Sequence, residues 1–282
     1  MNCMVRLRLG RPIDVRHLGR ERVICAFEVD GFVVDPGPTT SLQALLDGLG
    51  GEPPRGLLLT HIHLDHAGGT GVLVRHFPDL PVYVHERGAP HLVDPSKLLA
   101  SAKRVYGDEM DSLWGEFAAV PERNVRPLAG GERFDGFRVE YTPGHAVHHV
   151  TYLHEATGDA YVGDVAGIRI PPHAHTYAPT PPPDIDIPLW LESIDLVRRL
   201  EPAALCLTHF GRFDDVDAQL DAVAEYLERR REPVADQEAF ERQIVGESVD
   251  AVGAEEAATY FQAAPPDQIW WGLRRYWEQQ AR

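Results

Sequence analysis

Apolar and polar positions follow two rhythms along this chain. Residues 23–29 are strongly β-prone, Asp30-Gly31 supplies a tight turn, and Phe32-Val33-Val34 returns, so 13–35 read as extended segments. Asp35-Pro36-Gly37-Pro38 breaks the strand. Thr39 or Thr40 is placed to cap a helix over roughly 41–49, with Leu42, Leu45, Leu46 and Leu49 on one face and Gly50-Gly51 at its end. Residues 56–60 form a short apolar run of the kind buried on both faces of a sheet. The pattern then predicts a helix over 67–77, a strand over 81–85 and one or two helices over 95–118. Leu98, Leu99, Ala102, Val105 and Tyr106 make the stripe of the last region, continued by Leu113, Trp114 and Phe117.

Strands are predicted near 125–128, 137–141, 149–154 and 160–163. Seven prolines within 171–188 exclude a helix or an inner strand and predict an ordered surface loop. A helix near 188–200 leads to a buried strand at 203–207. Helical spacing resumes at 214 with Val216, Leu220, Val223 and Leu227, and continues at 236–247, 253–263 and 267–279. This order suggests stacked sheets covered by helices, with a helical tail packed on one side. There is no GxGxxG turn and no Walker A sequence, which argues against dinucleotide or nucleoside triphosphate chemistry.

Composition narrows the field. With 44% hydrophobic and 25% charged residues in 282, the chain has the make-up of a globular protein. Its 27 basic and 43 acidic residues leave a net charge of −16, which disfavours nucleic acid as a partner. The start lacks a signal-like apolar stretch and no window reaches membrane-span length, so a cytoplasmic protein with no membrane partner is expected. Cys3, Cys25 and Cys206 are odd in number and lack CxxC spacing. They fit a reducing compartment rather than a disulfide framework or a cysteine zinc site.

The chemistry concentrates in His61-Ile62-His63-Leu64-Asp65-His66, three imidazoles and a carboxylate directly after an apolar strand. His61 and His63 can aim at one ion while Asp65 and His66 turn toward a second. Imidazole with carboxylate suits zinc, iron or manganese, because neither needs costly deprotonation at neutral pH. His145, Asp164 and His209 each stand just beyond another apolar run and are further candidate ligands.

On these residues the chain resembles the metallo-β-lactamase superfamily over about 13–212. The motifs are Val34-Asp35-Pro36-Gly37, Thr60–Gly69 with its HxHxDH core, Thr142-Pro143-Gly144-His145, Gly163-Asp164 and Thr208-His209-Phe210-Gly211, in the family's order. The resemblance implies an α+β, four-layer αβ/βα sandwich over 1–212 with a helical C-terminal extension over 213–282. It implies two divalent metal ions, zinc foremost with iron or manganese as alternatives. His61, His63 and His145 would hold the first, Asp65, His66 and His209 the second, and Asp164 would bridge both. Asp65 would also handle the proton of the attacking water, a bridging hydroxide being the nucleophile. Asp35 would orient the ligand loop.

The activity implied is hydrolysis of an ester, thioester or lactone-like small molecule, glyoxalase-II-like in its metal residues. A mononuclear non-haem iron dioxygenase of the persulfide dioxygenase type and a phosphodiesterase are the alternatives. His149 is expected behind the ligands, and His148 on the surface. Arg169, His175 and Tyr177 are candidates to meet substrate at the pocket mouth. Tyr106 and Trp114 are expected to pack in the core, and His17 to be structural or exposed. Trp270, Trp271, Tyr276 and Trp277 either bury the last helix or form a subunit contact, so a homodimer is admitted.

Overall fold

The computed structural model describes residues 9–281; Cys3 lies outside them. Twelve strands form two six-stranded sheets. The first contains β1 (Arg11–Asp14), β2 (Cys25–Val29), β3 (Phe32–Val34), β4 (Gly56–Leu58), β5 (Val82–His85) and β6 (Val125–Leu128), side by side in chain order. The second contains β7 (Arg133–Phe134), β8 (Phe137–Tyr141), β9 (Val150–His154), β10 (Asp159–Tyr161), β11 (Ala204–Leu207) and β12 (Gly211–Phe213). The short strands β7 and β12 carry too few residues for a period to show, and the sequence pattern did not predict them.

Side-chain alternation explains the layering. In β2 to β4, Phe27, Phe32, Val34 and Leu58 point inward, while Ala26, Val33 and Leu57 point to the outer face. In β10 and β11, Tyr161 and Cys206 point inward, while Ala160, Leu205 and Leu207 point outward. The inner faces meet in a core with edge-to-face pairs Phe27–Tyr161 at 5.4 Å and Phe32–Phe137 at 5.6 Å. Both faces of these strands are apolar because both are covered, as expected of sheets with parallel central pairs.

Helices cover the outer faces. Over the first sheet lie α1 (Leu42–Gly48), α2 (Leu64–Ala67), α3 (Thr70–His76), α4 (Ala89–Val93), α5 (Ser96–Tyr106) and α6 (Met110–Trp114), which supply Leu45, Leu73, Leu92 and Trp114 to one cluster. Over the second lie α7 (Ile187–Arg199), α8 (Val216–Arg229), α9 (Gln237–Val252), α10 (Ala254–Ala263) and α11 (Pro266–Gln280). Their Trp190, Val223, Tyr260, Trp270 and Leu273 share a single cluster with the outer residues of β10 and β11. The helices after residue 213 therefore share a core with the second sheet. The tail aromatics bury α11: Trp270 Nε1 donates to the Val234 carbonyl at 3.2 Å and Trp277 Nε1 to that of Arg230 at 2.9 Å.

Two local expectations need correction. Thr39 and Thr40 do not cap α1; their hydroxyls donate instead to the carbonyls of Glu116 and Leu113, both at 2.8 Å, tying this turn to α6. The proline-rich segment is not wholly at the surface, because residues 176–180 are buried. There Thr180 donates to the Ile269 carbonyl at 3.1 Å, and a Cβ on Gly272 would stand 1.8 Å from the Thr180 carbonyl oxygen. Only glycine lets α11 approach the loop this closely. Gly272→Ala is expected to cost roughly 1–3 kcal/mol despite alanine's better helix propensity. A lowered thermal unfolding midpoint with an unchanged circular dichroism spectrum is the readout.

Candidate metal centre

Parallel pairing decides where the chemistry gathers. β3 pairs with β4, and β10 with β11, both in parallel, so each pair ends at the same edge of its sheet. Asp35 follows β3 directly, and His61 to His66 lie just beyond β4; Asp164 follows β10, and His209 follows β11. The loop from β8 to β9, holding His145 and His149, opens at this edge because β9 runs antiparallel to β10. Two backbone bonds join the sheets here, from Val150 N–H to the Thr60 carbonyl and from Cys25 N–H to that of Thr208, each 2.7 Å.

Asp35 is fully buried with φ of 47°, a left-handed conformation that costs a non-glycine residue about 1 kcal/mol. Its carboxylate accepts four hydrogen bonds. Thr60 N–H donates to Oδ1 at 2.8 Å; the Thr60 hydroxyl, His66 Nδ1 and the Thr208 hydroxyl donate to Oδ2 at 2.7, 2.8 and 2.9 Å. The Thr60 hydroxyl proton is thereby committed, so its oxygen accepts from His61 Nδ1 at 3.1 Å. His145 Nδ1 donates to the Pro179 carbonyl at 3.0 Å and His209 Nδ1 to that of Val23 at 2.7 Å. Four imidazoles thus carry their proton on Nδ1 and turn a bare Nε2 toward one another.

The donor atoms form two sets. His61 Nε2, His63 Nδ1 and His145 Nε2 are separated by 3.0, 3.0 and 3.3 Å. Three nitrogens bound to one ion at about 2.05 Å would be roughly 2.9–3.3 Å apart, from octahedral to tetrahedral angles. In the second set, Asp65 Oδ2 lies 3.2 Å from His209 Nε2 and 3.6 Å from His66 Nε2. Asp164 reaches both: Oδ2 is 3.3 Å from His145 Nε2, and Oδ1 is 3.3 Å from His66 Nε2. His66 Nε2, His209 Nε2 and Asp164 Oδ1 are buried without a hydrogen-bond partner. Orphaned polar atoms cost about 1–3 kcal/mol each, and a cation among them would satisfy all three.

Electrostatics favours a cation at the same place. Burial, reinforced by the neighbouring imidazoles, pushes His61 well below the usual histidine range; burial also takes His145 well below it, against the pull of Asp164. Burial also opposes charge on His66 and His209. There the carboxylates outweigh it, Asp164 foremost for His66 and Asp65 for His209, and both are raised. Burial would lift the Asp65 and Asp164 carboxyls, yet neighbouring imidazoles, His66 foremost, hold both below the carboxylate range. The carboxylates call for positive charge; a metal ion supplies it without protonating ligands. The donor set therefore fits a pair of metal ions.

The other predicted residues fall in three places. His149 stacks beneath His61 at 5.2 Å, faces the Thr142 hydroxyl at 2.9 Å, and is pushed by burial down to about 4, so it is a neutral support. His148 corrects expectation. It is buried, accepts from Ile62 N–H at 3.4 Å and lines the pocket over the cluster, because the loop before β9 does not follow strand alternation. Arg169, His175 and Tyr177 do not line that pocket. Arg169 Nη1 donates to both carboxylate oxygens of Asp215 at 2.8 Å, and its backbone supports His209; His175 faces the Ser248 hydroxyl at 3.1 Å; Tyr177 is buried and donates to the Ala264 carbonyl at 3.2 Å. Partners within the fold thus engage all three side chains that were offered to substrate.

The pocket has a volume of about 390 Å³, and His63, Asp65 and Asp164 open into it. Its lining includes residues that sequence spacing could not assign: His17, stacked on Trp114 at 5.3 Å, Tyr106, and Ala264 and Ile269 of the C-terminal part. Tyr106 and Trp114 carried a signal, an aromatic stripe on the 95–118 helices; the C-terminal residues carried none.

A two-sheet sandwich with this His/Asp cluster at the shared strand ends defines a metallo-β-lactamase fold, which binds a dinuclear metal site. The chain belongs to the metallo-beta-lactamase superfamily, whose profile matches residues 28–209. It is similar to the metallo-beta-lactamase fold-containing protein ST1585 of Sulfurisphaera tokodaii, at 29% identity over 209 residues, 71% of this chain and 76% of that protein. The solved ST1585 structure superposes with a TM-score of 0.70 at 22% identity, over 95% of this chain and 98% of that one. TTHA1623 in a di-iron-bound form has a TM-score of 0.54 at 26% identity, over 71% and 92%. A segment of 78 residues is 40% identical to hydroxyacylglutathione hydrolase of Yersinia pestis, covering 26% of this chain and 31% of that enzyme. Among the described residues no helix is long and apolar enough to cross a membrane.

Asp35→Ala would strand four buried donors. It is expected to destabilise the fold by about 3 kcal/mol and to weaken metal binding roughly 10–100-fold. Urea unfolding and chelator competition measure the two effects separately.

Proposed function

We propose that this chain is a metal-dependent hydrolase that cleaves an ester, thioester or lactone-like small molecule at a dinuclear centre. The observation that carries the reading is a pair of complete donor sets sharing Asp164. His61, His63 and His145 would hold one ion and Asp65, His66 and His209 the other, with Asp164 within reach of both donor sets. Zinc is the metal proposed, since neutral imidazoles with one or two carboxylates suit it; iron and manganese fit the same donors. When bound, two divalent ions supply a water acidic enough to ionise near neutral pH and polarise the scissile carbonyl oxygen.

The remaining work belongs to the chain's own side chains. Asp65 is the ligand carboxylate that opens most to the pocket, 19% exposed against 3% for Asp164. It is placed to take a proton from the attacking water and pass it to the leaving group. Asp35, Thr60 and the Pro179 and Val23 carbonyls hold the imidazoles in the tautomer that ligation needs. The pocket walls limit competing water.

Completeness of the second donor set favours this over the mononuclear iron dioxygenase. The phosphodiesterase reading is disfavoured because, among the described residues, the Lys and Arg in the pocket lining are Lys97 and Arg87, both exposed.

Purified protein is expected to carry about two metal ions per chain by elemental analysis, and Asp164→Ala about one or fewer. Asp65→Asn is expected to lose about 10²–10³-fold in kcat on whichever ester, thioester or lactone is turned over. One iron per chain with oxygen uptake and no hydrolysis would overturn the assignment.

A further inference from the structure

The pocket mouth carries an anomaly. Among the described residues four large apolar side chains are exposed, and two of them, Leu18 at 50% and Val147 at 38%, line this one pocket. Leu18 also has φ of 52° and ψ of 34°, a left-handed conformation that suits asparagine or glycine and is unfavourable for leucine. Here local strain and solvent exposure, each unfavourable, coincide in one side chain. The turn that bears it is firmly held. His17 is 2% exposed and stacks on Trp114, and its carbonyl accepts from Gln262 of α10 at 2.8 Å.

Behind Leu18 and Val147 the walls are apolar. One wall is Leu98, Val105 and Leu113 of α5 and α6; the other is Ala264, Pro265 and Ile269 from the C-terminal helices. That second wall holds no charged side chain: its polar members are Gln262 and Gln268. Among the described residues the fixed charges besides Asp65 and Asp164 are Arg87, Lys97 and Asp184, exposed or half-exposed.

We propose that the pocket takes a medium-length unbranched acyl chain, with Leu18 and Val147 closing on it at the mouth, so that the substrate class is a medium-chain acyl ester or lactone. This rests on the hydrolase assignment and adds its specificity. One water is consumed, the acyl C–O bond breaks, a carboxylic acid and an alcohol form, and the water's second proton goes to the leaving oxygen. The helical extension is then a determinant of specificity, contributing a neutral wall where an anionic carrier would need cations.

The test uses the metal-loaded full chain with p-nitrophenyl esters from acetyl to decanoyl, medium-chain lactones and a hydroxyacylglutathione thioester. Expected is a rise in kcat/KM of about fourfold per added methylene until the pocket is full. Calorimetric binding of the C4 to C10 carboxylate products should tighten by a similar factor. Leu18→Asn should keep or raise the unfolding midpoint, and lower octanoyl kcat/KM about tenfold more than acetyl kcat/KM, with octanoate affinity falling by a similar factor. Gln268→Glu, half-buried on the C-terminal wall, should act in the same direction. Flat chain-length dependence with the acetyl ester turned over, or the glutathione thioester as the best substrate, overturns the proposal and leaves the hydrolase assignment standing. No turnover of any member overturns both.

Discussion

One buried carboxylate ties the working edge of this molecule together. Asp35 directly follows β3, and its four hydrogen bonds reach Thr60 just beyond β4, the His66 imidazole of α2 and Thr208 directly after β11. It thus joins the two sheets and sets the proton position on His66 directly and on His61 through Thr60. Its left-handed backbone is affordable only because those bonds over-determine it. Backbone bonds from Val150 to Thr60 and from Cys25 to Thr208 reinforce the same junction.

Charge balance is the second constraint. Asp35, Asp65 and Asp164 lie with His61, His63, His66, His145, His148, His149 and His209 in a region from which water is largely excluded. Burial makes the first imidazole set neutral, while the carboxylates draw positive charge onto His66 and His209. Metal-free, these groups compete for protons; with cations between them, every orphaned lone pair has a partner. Evolution of such a site is constrained as a unit, because removing any one carboxylate changes the demand for charge on all its neighbours.

The C-terminal helices serve two ends with one set of contacts. They complete the core over the outer face of the second sheet through Tyr260, Trp270 and Leu273, and the same packing brings Ala264 and Ile269 to the pocket. The close approach at Gly272 and the Gln262 contact to the His17 turn fix that wall relative to the edge that carries the His/Asp cluster. The packing that completes the core therefore also shapes the pocket in this region.

Much of the fold was legible in the residues themselves. Short apolar runs such as 56–60 and 203–207 foretold strands buried on both faces, and Val216, Leu220, Val223 and Leu227 foretold α8, because side-chain period is a local property. The candidate donors could also be picked out from the sequence, since they are His and Asp residues just beyond apolar runs, and the structure brings them together. What the chain order could not state was distance. Whether Asp164 touches both donor sets, whether Arg169 faces substrate or Asp215, and that Ile269 reaches a pocket whose floor is His63 all depend on how two sheets and eleven helices pack. Those contacts join residues tens to hundreds of positions apart, and no local pattern encodes them; they follow from burying both faces of both sheets at once.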